Sequence, residues 1–268
     1  MNYSKISIVT PSYNQEQFLE RTILSVINQN YPNLEYIIID GGSTDGSVDI
    51  IKKYQKYLAY WISERDSGQS EAINKGFQKA TGEIYAYLNS DDILELNVLK
   101  RINEIFTTQK KLDLIYSNCK IIDENDHILR LSIALPFNLI EHLANIFAIP
   151  QPSTFWKREV FEKVGGFNTG NHTCMDSEFF AVAYKLGFNF KACDEIWSSF
   201  RIHNKSKTGA KTSYFIKSQL EDQNKYFLEI DVNFKNNFYN KILCYYLRLK
   251  YIPFKTLKFL KFFLNFYL

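Results

Sequence analysis

The sequence predicts an α/β fold: a Rossmann-like, mostly parallel sheet flanked by helices, followed by a helical C-terminal tail. Short apolar runs alternate with segments of helical periodicity through the first half of the chain, a pattern typical of parallel strands joined by right-handed crossovers. The first, second and fourth runs end in polar, small or acidic residues, which are expected to meet along one edge of the sheet. With 268 residues, 46% of them hydrophobic, the chain can bury a large core.

The first four strands are predicted from short apolar runs that end at turn residues. They lie at residues 6–10, 35–39, 58–63 and 83–88. Three helices are predicted between them, because apolar residues recur there at helical spacing. These helices contain residues 18–27, 48–51 and 70–80. Strands separated by helices of this length are expected to pair in parallel.

The second half of the chain alternates less regularly. Helices are expected at residues 97–106 and 176–186, and strands at 112–118, 151–156 and 188–192, with a further segment at 196–203. The region between the 112–118 strand and Pro136 shows no regular pattern. Residues 163–168 (KVGGFN) have the glycine turn chemistry of a helix end.

Two adjacent carboxylates, Asp91 and Asp92, follow the fourth strand directly. In open α/β sheets, ligands bind outside the carboxyl ends of the strands, so a functional pair is expected there. Adjacent carboxylates repel each other unless a cation or hydrogen-bond donors hold them, and a divalent ion that also contacts substrate phosphates would do so. The alternative is a solvated turn in which an Asp caps the helix that starts near Leu94.

The composition excludes several classes of protein. The four cysteines are far apart and form no Cys-x-x-Cys pair, so neither a disulfide framework nor a zinc site is predicted. The net charge is +3, yet residues 232–268 hold seven basic and no acidic side chains, so the rest of the chain is acidic. A nucleic-acid partner is therefore not expected. The N-terminus has no apolar run of the signal-peptide kind, and a cytoplasmic location is expected.

A set of short motifs occurs in a fixed order. They are 7–14 (SIVTPSYN), 39–46 (IDGGSTDG), 68–76 (GQSEAINKG), 89–92 (NSDD), 151–152 (QP), 164–167 (VGGF) and 175–178 (MDSE). This set resembles the GT-A glycosyltransferases of family 2, over roughly residues 5–208. The resemblance implies transfer of a sugar from a nucleotide-sugar donor to an acceptor hydroxyl, with inversion at the anomeric carbon. It also implies two halves, residues 1–118 for the donor and 119–212 for the acceptor.

The resemblance also implies roles for individual residues. Asp92 would bind Mn²⁺ or Mg²⁺, Asp91 would contact the donor ribose or metal-bound water, and His203 would lie near the diphosphate or bind the metal. Asp176 matches the position of the base that deprotonates the acceptor, at a helix start where the macrodipole favours the ionised carboxylate. Glu178 is the competing candidate, and an ordinary helix acid is the alternative to both.

Donor contacts are expected from residues of the first three motifs and their surroundings: Pro11, Tyr13, Asp40, Arg65, Gln69, Asn74, Lys75 and Asp91. For those between 65 and 75 the alternative is an exposed helix face. The sequence departs from the common form of the family, which has a second acid where Gly41 stands. Because that acid often contacts the base, this departure weakens the argument for uridine.

The C-terminal tail, residues 213–268, combines aromatic and basic residues. Residues 232–268 include twelve Phe and Tyr, and no apolar run there reaches the ~20 residues that a membrane span requires. The tail is expected either to lie on an anionic membrane or to pack as helices on protein. The membrane alternative implies a peripheral location and favours a polyprenyl-linked or surface-polysaccharide acceptor. A membrane-attached nucleotide-sugar-binding protein without transferase activity is the alternative function. A nucleotidyltransferase is disfavoured, because a glycine-rich, lysine-bearing N-terminal loop is absent.

Overall fold

The computed structural model describes residues 3–143 and 148–204, together with residues 206, 217–219, 221–223 and 225. In this part of the chain, nine strands form a single mixed, mostly parallel sheet with helices on both faces, which confirms the predicted fold class. Residues 232–268, and Cys244 with them, lie outside the described residues.

The first half of the chain follows the predicted alternation of strands and helices. Its elements are β1 (Ile6–Ser12), α1 (Glu16–Ile27), β2 (Leu34–Asp40), α2 (Ser47–Tyr54), β3 (Tyr60–Ser63), α3 (Gln69–Lys79) and β4 (Ile84–Tyr87). The sheet order here is β3-β2-β1-β4, and every pair in it is parallel. The chain winds outward from β1 to β3 and then crosses back to the other side of β1. The carboxyl ends of β1 and β4 therefore flank the switch point, where such sheets bind ligands.

The second half extends the same sheet. Its elements are β5 (Ile93–Leu94), α4 (Val98–Thr108), β6 (Leu114–Ile122), β7 (Ile128–Ser132), α5 (Leu139–Leu143), β8 (Thr154–Lys157), α6 (Arg158–Val164), α7 (Met175–Lys185) and β9 (Phe190–Arg201). The antiparallel strand β8 joins β4 to β6, and β9 runs parallel to β6. Strands β5 and β7 and helix α5 were not predicted, and β9 replaces the two shorter segments expected there.

Alternate side chains of the central strands point into two cores. Ile8 packs with apolar residues of α1, α2 and α4 on one face of the sheet. Val9 packs with apolar residues of α3, α6 and α7 on the other, where Trp156 and Phe179 lie in an aromatic cluster. Helix α3 approaches β1 closely because residue 76 is glycine: a Cβ there would lie 2.3 Å from Val9 Cγ1. The two cores hold the strand ends, and the loops that follow them, in fixed positions.

Helices that could cross a bilayer were sought over the described residues. Within that part of the chain, every helix is too short or too polar for a membrane span.

Candidate active site

The loop after β4 is held by a network of side-chain amides. Asn89 Oδ1 accepts a hydrogen bond from Gln69 Nε2 at 2.6 Å, and Asn89 Nδ2 donates to Asp92 Oδ2 at 3.2 Å and to Gln151 Oε1 at 3.4 Å. Gln151 in turn donates to the carbonyl oxygen of Tyr87 at 2.8 Å. Three of the motifs named above thus meet at the carboxyl end of β4.

Asp92 is fully buried, which excludes the alternative of a solvated turn. Its Oδ1 accepts a hydrogen bond from the backbone N–H of Arg201 at 2.9 Å, and its carbonyl oxygen accepts one from Thr22 Oγ1 at 2.7 Å. Burial, and then the adjacent charge of Asp91, raise the pKa of Asp92 well above its ordinary value. Both carboxylate oxygens of Asp92 are therefore bound within the protein, where they fix the loop.

The guanidinium of Arg201 is buried and contacts the loop that carries Asp91 and Asp92. Its Nε donates to the carbonyl oxygen of Asp91 at 2.8 Å, and its Nη1 donates to the carbonyl oxygen of Asp123 at 2.9 Å and forms an ion pair with Asp126. The guanidinium carbon lies 4.8 Å from the centroid of the Phe18 ring, and Nη2 has no hydrogen-bond partner among the described residues. Arg201 was not predicted as a site residue; its position two residues before His203 was the available signal.

His203 and Asp91 face each other. The distance from His203 Nε2 to Asp91 Oδ2 is 3.1 Å, and the imidazole packs against the Phe18 ring with centroids 4.6 Å apart. No group of three or more His, Cys, Asp and Glu side chains among the described residues is arranged to hold a metal ion. One carboxylate and one imidazole nevertheless fit Mn²⁺ or Mg²⁺ when phosphate oxygens of a ligand complete the coordination. Of the two adjacent acids, Asp91 is the more exposed, since Asp92 is fully buried.

The loops after β1 and β2 are joined to each other. Asn14 Oδ1 accepts a hydrogen bond from the Thr44 N–H at 2.9 Å, and the Asn14 N–H donates to Ser43 Oγ at 2.8 Å. Pro11 is buried near the end of β1, whereas the side chain of Tyr13, just beyond it, is 61% exposed. Tyr13 therefore presents an aromatic ring to solvent at this edge of the sheet.

Asp40 ends β2 and directs its carboxylate into its own turn. It accepts hydrogen bonds from the N–H groups of Gly42 and Ser43, from Ser43 Oγ at 2.6 Å and from Ser63 Oγ at 2.7 Å. The carboxylate is fully buried. Asp40 thus shapes the turn that the sequence analysis expected to hold the nucleotide.

Asp66 fills the space that a side chain on residue 41 would occupy. A Cβ on Gly41 would lie 2.8 Å from Asp66 Oδ2. Asp66 Oδ1 accepts a hydrogen bond from the Gly68 N–H at 2.9 Å, and burial raises the pKa of Asp66. An acid is therefore present beside Asp40 although the sequence has glycine at position 41, and the sequence analysis missed it.

Three further expected donor contacts lie near α3. Arg65 is exposed and its backbone lies against Gly42. Lys75 Nζ pairs with Glu64 at 3.0 Å and with Glu71 at 2.9 Å. The Asn74 amide bonds the backbone of Phe167 through both of its ends, at 2.7 and 2.8 Å. Asn74 thus joins α3 to the loop after α6.

Asp176 lies in the first turn of α7 and is partly buried; its Oδ1 accepts a hydrogen bond from the Ser177 N–H at 2.8 Å. The helix start packs on α3, where Ser70 Oγ donates to Met175 Sδ at 2.6 Å. Burial raises the pKa of Tyr87 well above its ordinary value, and the charges of Asp176 and Asp92 raise it further. The two acids, distant in sequence, are therefore both close to one buried tyrosine.

Glu178, the competing base candidate, is buried and bonded on both oxygens. Its Oε1 accepts from Asn168 at 2.9 Å and its Oε2 accepts from Asn171 at 2.7 Å. This side chain organises the loop before α7.

Known glycosyltransferases are similar to this chain in sequence. A family model described as Glycosyl transferase family 2 matches residues 7–197. An uncharacterized glycosyltransferase of Nostoc sp. is 36% identical over 171 residues, which is 60% of this chain and 53% of that protein, so this chain spans about half of its length. TuaG of Bacillus subtilis, a candidate teichuronic acid biosynthesis glycosyltransferase, is 28% identical over 81% of this chain and 88% of its own.

Solved structures share the fold at low sequence identity. TarS 1-349 of S. aureus, in complex with UDP-GlcNAc, has a TM-score of 0.64 and 17% identity, and the match covers 88% of this chain and 77% of that one. The mannosyltransferase PcManGT from Pyrobaculum calidifontis, in complex with GDP-Man and Mn²⁺, has a TM-score of 0.59 and 16% identity over 96% of this chain and 84% of that one.

Proposed function

Because this chain belongs to glycosyl transferase family 2, we propose that it transfers a sugar from a nucleotide-sugar donor to an acceptor hydroxyl with inversion at the anomeric carbon. The observation that carries the proposal is the pairing of Asp91 with His203 at 3.1 Å, above the buried Asp92, at the switch point between β1 and β4. A partly exposed carboxylate and an imidazole at this edge of the sheet suit a metal-bound diphosphate.

Asp91 and His203 would hold a Mn²⁺ or Mg²⁺ ion. The resemblance gave the metal to Asp92, but both carboxylate oxygens of Asp92 accept hydrogen bonds from Asn89 and Arg201, so we propose that Asp92 instead fixes the loop that carries Asp91. Such an ion, when bound, stabilises the negative charge that develops on the leaving diphosphate. The buried Arg201 fixes the carbonyl oxygen of Asp91 and so keeps the loop in place without reorganisation. PcManGT in complex with Mn²⁺ has the same fold, which supports this reading.

Asp176 is the proposed base. Inversion in one step requires that a group on the face opposite the leaving diphosphate takes the proton of the attacking hydroxyl. A carboxylate in the first turn of α7 is stabilised in its ionised form by the helix dipole. Glu178 is the weaker candidate, because both of its oxygens are bound by asparagine amides.

The nucleoside is proposed to lie between the loops after β1, β2 and β3. The exposed Tyr13 ring would stack on the base, and Asp66 Oδ2, which accepts no hydrogen bond from a described residue, would accept one from the base or the ribose. Arg65 and Gln69 border the same loops. The fold relatives were solved with UDP-GlcNAc and with GDP-Man, so both nucleotides are proper probes.

The acceptor is proposed to be a saccharide of surface-polysaccharide assembly, linked to a polyprenyl lipid. The description of TuaG supports a polysaccharide, and the basic, aromatic composition of residues 232–268 supports attachment to an anionic membrane at the cytoplasmic face. Flotation with anionic liposomes tests the attachment, with and without residues 232–268. Equal binding of the two chains would remove the membrane proposal.

The donor is tested first by a thermal-shift panel of nucleotide sugars with and without Mn²⁺, since a ligand that binds the folded state raises its stability. Nucleotide release from the best donor then measures turnover, with water as the acceptor. Asp91→Asn and His203→Ala should each abolish the Mn²⁺-dependent part of the shift, whereas Asp176→Asn should keep the shift and lose turnover. An Asp176→Asn enzyme with full turnover would remove Asp176 from the mechanism.

A further inference from the structure

A segment beyond the predicted catalytic domain reaches back to the loop before α7. Asp222 is buried, with 5% of its surface exposed, and its Oδ2 accepts hydrogen bonds from Thr173 Oγ1 at 2.7 Å and from the His172 N–H at 3.1 Å. The neighbouring Gln223 is buried as well, and its Nε2 donates to the carbonyl oxygen of Leu143 at 3.3 Å. These contacts tie the C-terminal segment to the body.

We propose that Asp222 is a positioning residue for the transfer reaction, which fixes the loop 171–174 and through it Asp176. This inference rests on the proposed role of Asp176 as the base. Thr173 and Asp176 are three positions apart, and the two intervening residues are buried. A shift of the loop at Thr173 therefore moves the start of α7.

The loop is already fixed from the helix side. Asn171 Oδ1 accepts a hydrogen bond from the Cys174 N–H at 3.0 Å, and Asn171 Nδ2 donates to Glu178 Oε2 at 2.7 Å. These bonds join the loop to the first turn of α7 as one unit. Asp222 binds the same unit at His172 and Thr173, so its carboxylate helps to fix where that unit lies relative to the rest of the site.

The loop also contacts the donor half. Ser70 Oγ lies 3.4 Å from the carbonyl oxygen of Asn171, and His172 Nδ1 lies 3.8 Å from the position of a Cβ on Gly68. Ser70 is adjacent to Gln69, which donates a hydrogen bond to Asn89 in the loop after β4. The loop 171–174 is thus held between Asp222 and the N-terminus of α3, at the junction of donor and base.

The other acid of this segment does not share the role. Glu221 is exposed and lies 4.0 Å from Lys217, four residues earlier on the same segment. Asp222, by contrast, forms no ion pair with a described residue and directs its carboxylate to a hydroxyl and a backbone N–H. A division of the chain into a domain of residues 1–212 and a tail of 213–268 therefore separates Asp222 from the loop that it holds.

The chemistry of the two hydrogen bonds provides a discriminating set of variants. Both bonds end on the same oxygen of Asp222, so Asp222→Asn retains the acceptor and Asp222→Ala removes it. Thr173→Val removes one donor at nearly constant volume and serves if Asp222→Ala does not fold. Glu221→Ala is the matched control, since it removes an acid from the adjacent position.

The experiment measures nucleotide release from UDP-GlcNAc and from GDP-mannose in Mn²⁺ by the full-length chain, with water as the acceptor. We expect Asp222→Ala to lower kcat about tenfold or more, because small displacements of a catalytic group have effects of this size. KM and Kd for the donor should stay within about twofold, since the hydrogen bonds of Asp222 go to Thr173 and His172 and not to a proposed donor residue. Asp222→Asn should restore most of the turnover, and Thr173→Val should fall between Asp222→Ala and the wild type.

The inference is overturned if Asp222→Ala turns over like Glu221→Ala, or if its donor affinity and kcat fall together. Failure of the proposed function is a separate result, in which Asp176→Asn keeps full turnover. A double variant links the two: in an Asp176→Asn background, Asp222→Ala should change the residual turnover by less than about twofold, because interacting residues are not additive. A further tenfold fall there would show that Asp222 acts by another route.

Discussion

Arg201→Met tests whether the buried guanidinium stabilises the loop after β4, which carries Asp91 and Asp92. The substitution removes the hydrogen bonds to the carbonyl oxygens of Asp91 and Asp123 and the ion pair with Asp126, and it retains the backbone bond to Asp92. A hydrogen bond from a charged donor contributes about 1.5–3 kcal/mol. The ion pair contributes less than about 1 kcal/mol, because Asp126 is partly exposed.

Part of this loss in the free energy of unfolding is offset, because the substitution also removes a buried charge. Burial of a guanidinium is itself unfavourable by several kcal/mol, and no hydrogen bond from Nη2 of Arg201 to the described part of the chain offsets it. Removal of the cation also takes the positive charge of Arg201 away from the buried Asp92, which lies beside Asp91. This second effect destabilises the folded state. We therefore expect a net decrease of about 2–4 kcal/mol in the free energy of unfolding.

Arg21 provides a matched control on the same partners. Its Nη1 lies 2.9 Å from Asp126, and its guanidinium carbon lies 5.9 Å from the centroid of the Phe18 ring, yet its side chain is 43% exposed. Arg21→Met should therefore decrease the free energy of unfolding by less than about 1 kcal/mol. Urea unfolding at pH 7 measures both variants, and Arg201→Lys serves if Arg201→Met does not fold. Equal losses for Arg201→Met and Arg21→Met would refute the argument from burial.

Three further predictions follow from contacts elsewhere in the fold. Gly76→Ala should destabilise the protein by about 1–3 kcal/mol, since the new Cβ meets Val9 at 2.3 Å, and Val9→Ala should lessen that effect in urea unfolding of the double variant. Burial alone would raise the pKa of Glu35, but hydrogen bonds from its neighbours lower it from 4.5 to about 2. The stabilisation of the folded state by the ionised Glu35 is therefore complete above about pH 4.5 and is lost as the pH falls toward 2. The urea midpoints of wild type and Glu35→Gln should accordingly converge in acid, and a constant difference between them would contradict this. Gly41→Ala should weaken nucleotide binding about fivefold in calorimetric titration by displacing Asp66, whereas unchanged affinity would exclude Asp66 from the donor site.

The regular part of the fold was predictable from the sequence because burial leaves a pattern in it. Strands β1, β2 and β4 are almost entirely buried, and the sequence shows each of them as a short, largely apolar run. Strand β7 escaped prediction because it is an edge strand whose first three side chains are exposed, so no alternation marks it. Strand β9 was divided in two because its pairing with β6 contains register shifts near Asn118, which interrupt the alternation.

The site was predictable to the level of motifs and less so to the level of single atoms. The sequence placed Asp91 and Asp92 after the carboxyl end of a strand, and both follow β4 in the structure. The metal and donor roles that the resemblance implies for them and for His203 stay predictions. The sequence did not show which polar side chains are bound within the protein, because their partners are distant: Asn74 bonds Phe167, 93 positions away, and Arg201 bonds Asp91, 110 positions away. Such pairings depend on the folded sheet order and leave no local pattern.

The polar groups of the site fall into two sets with different expected roles. Asp40, Asn89 and Asp92 have their side-chain oxygens bound by other residues and form a frame. Tyr13 is exposed, and Asp66 retains a carboxylate oxygen that accepts no hydrogen bond from the residues that the structure describes. A preorganised frame spares reorganisation during the reaction, because its dipoles are oriented before the donor binds. Substitutions in the frame should therefore lower stability and turnover together, whereas Tyr13→Ala should weaken donor binding with the free energy of unfolding nearly unchanged.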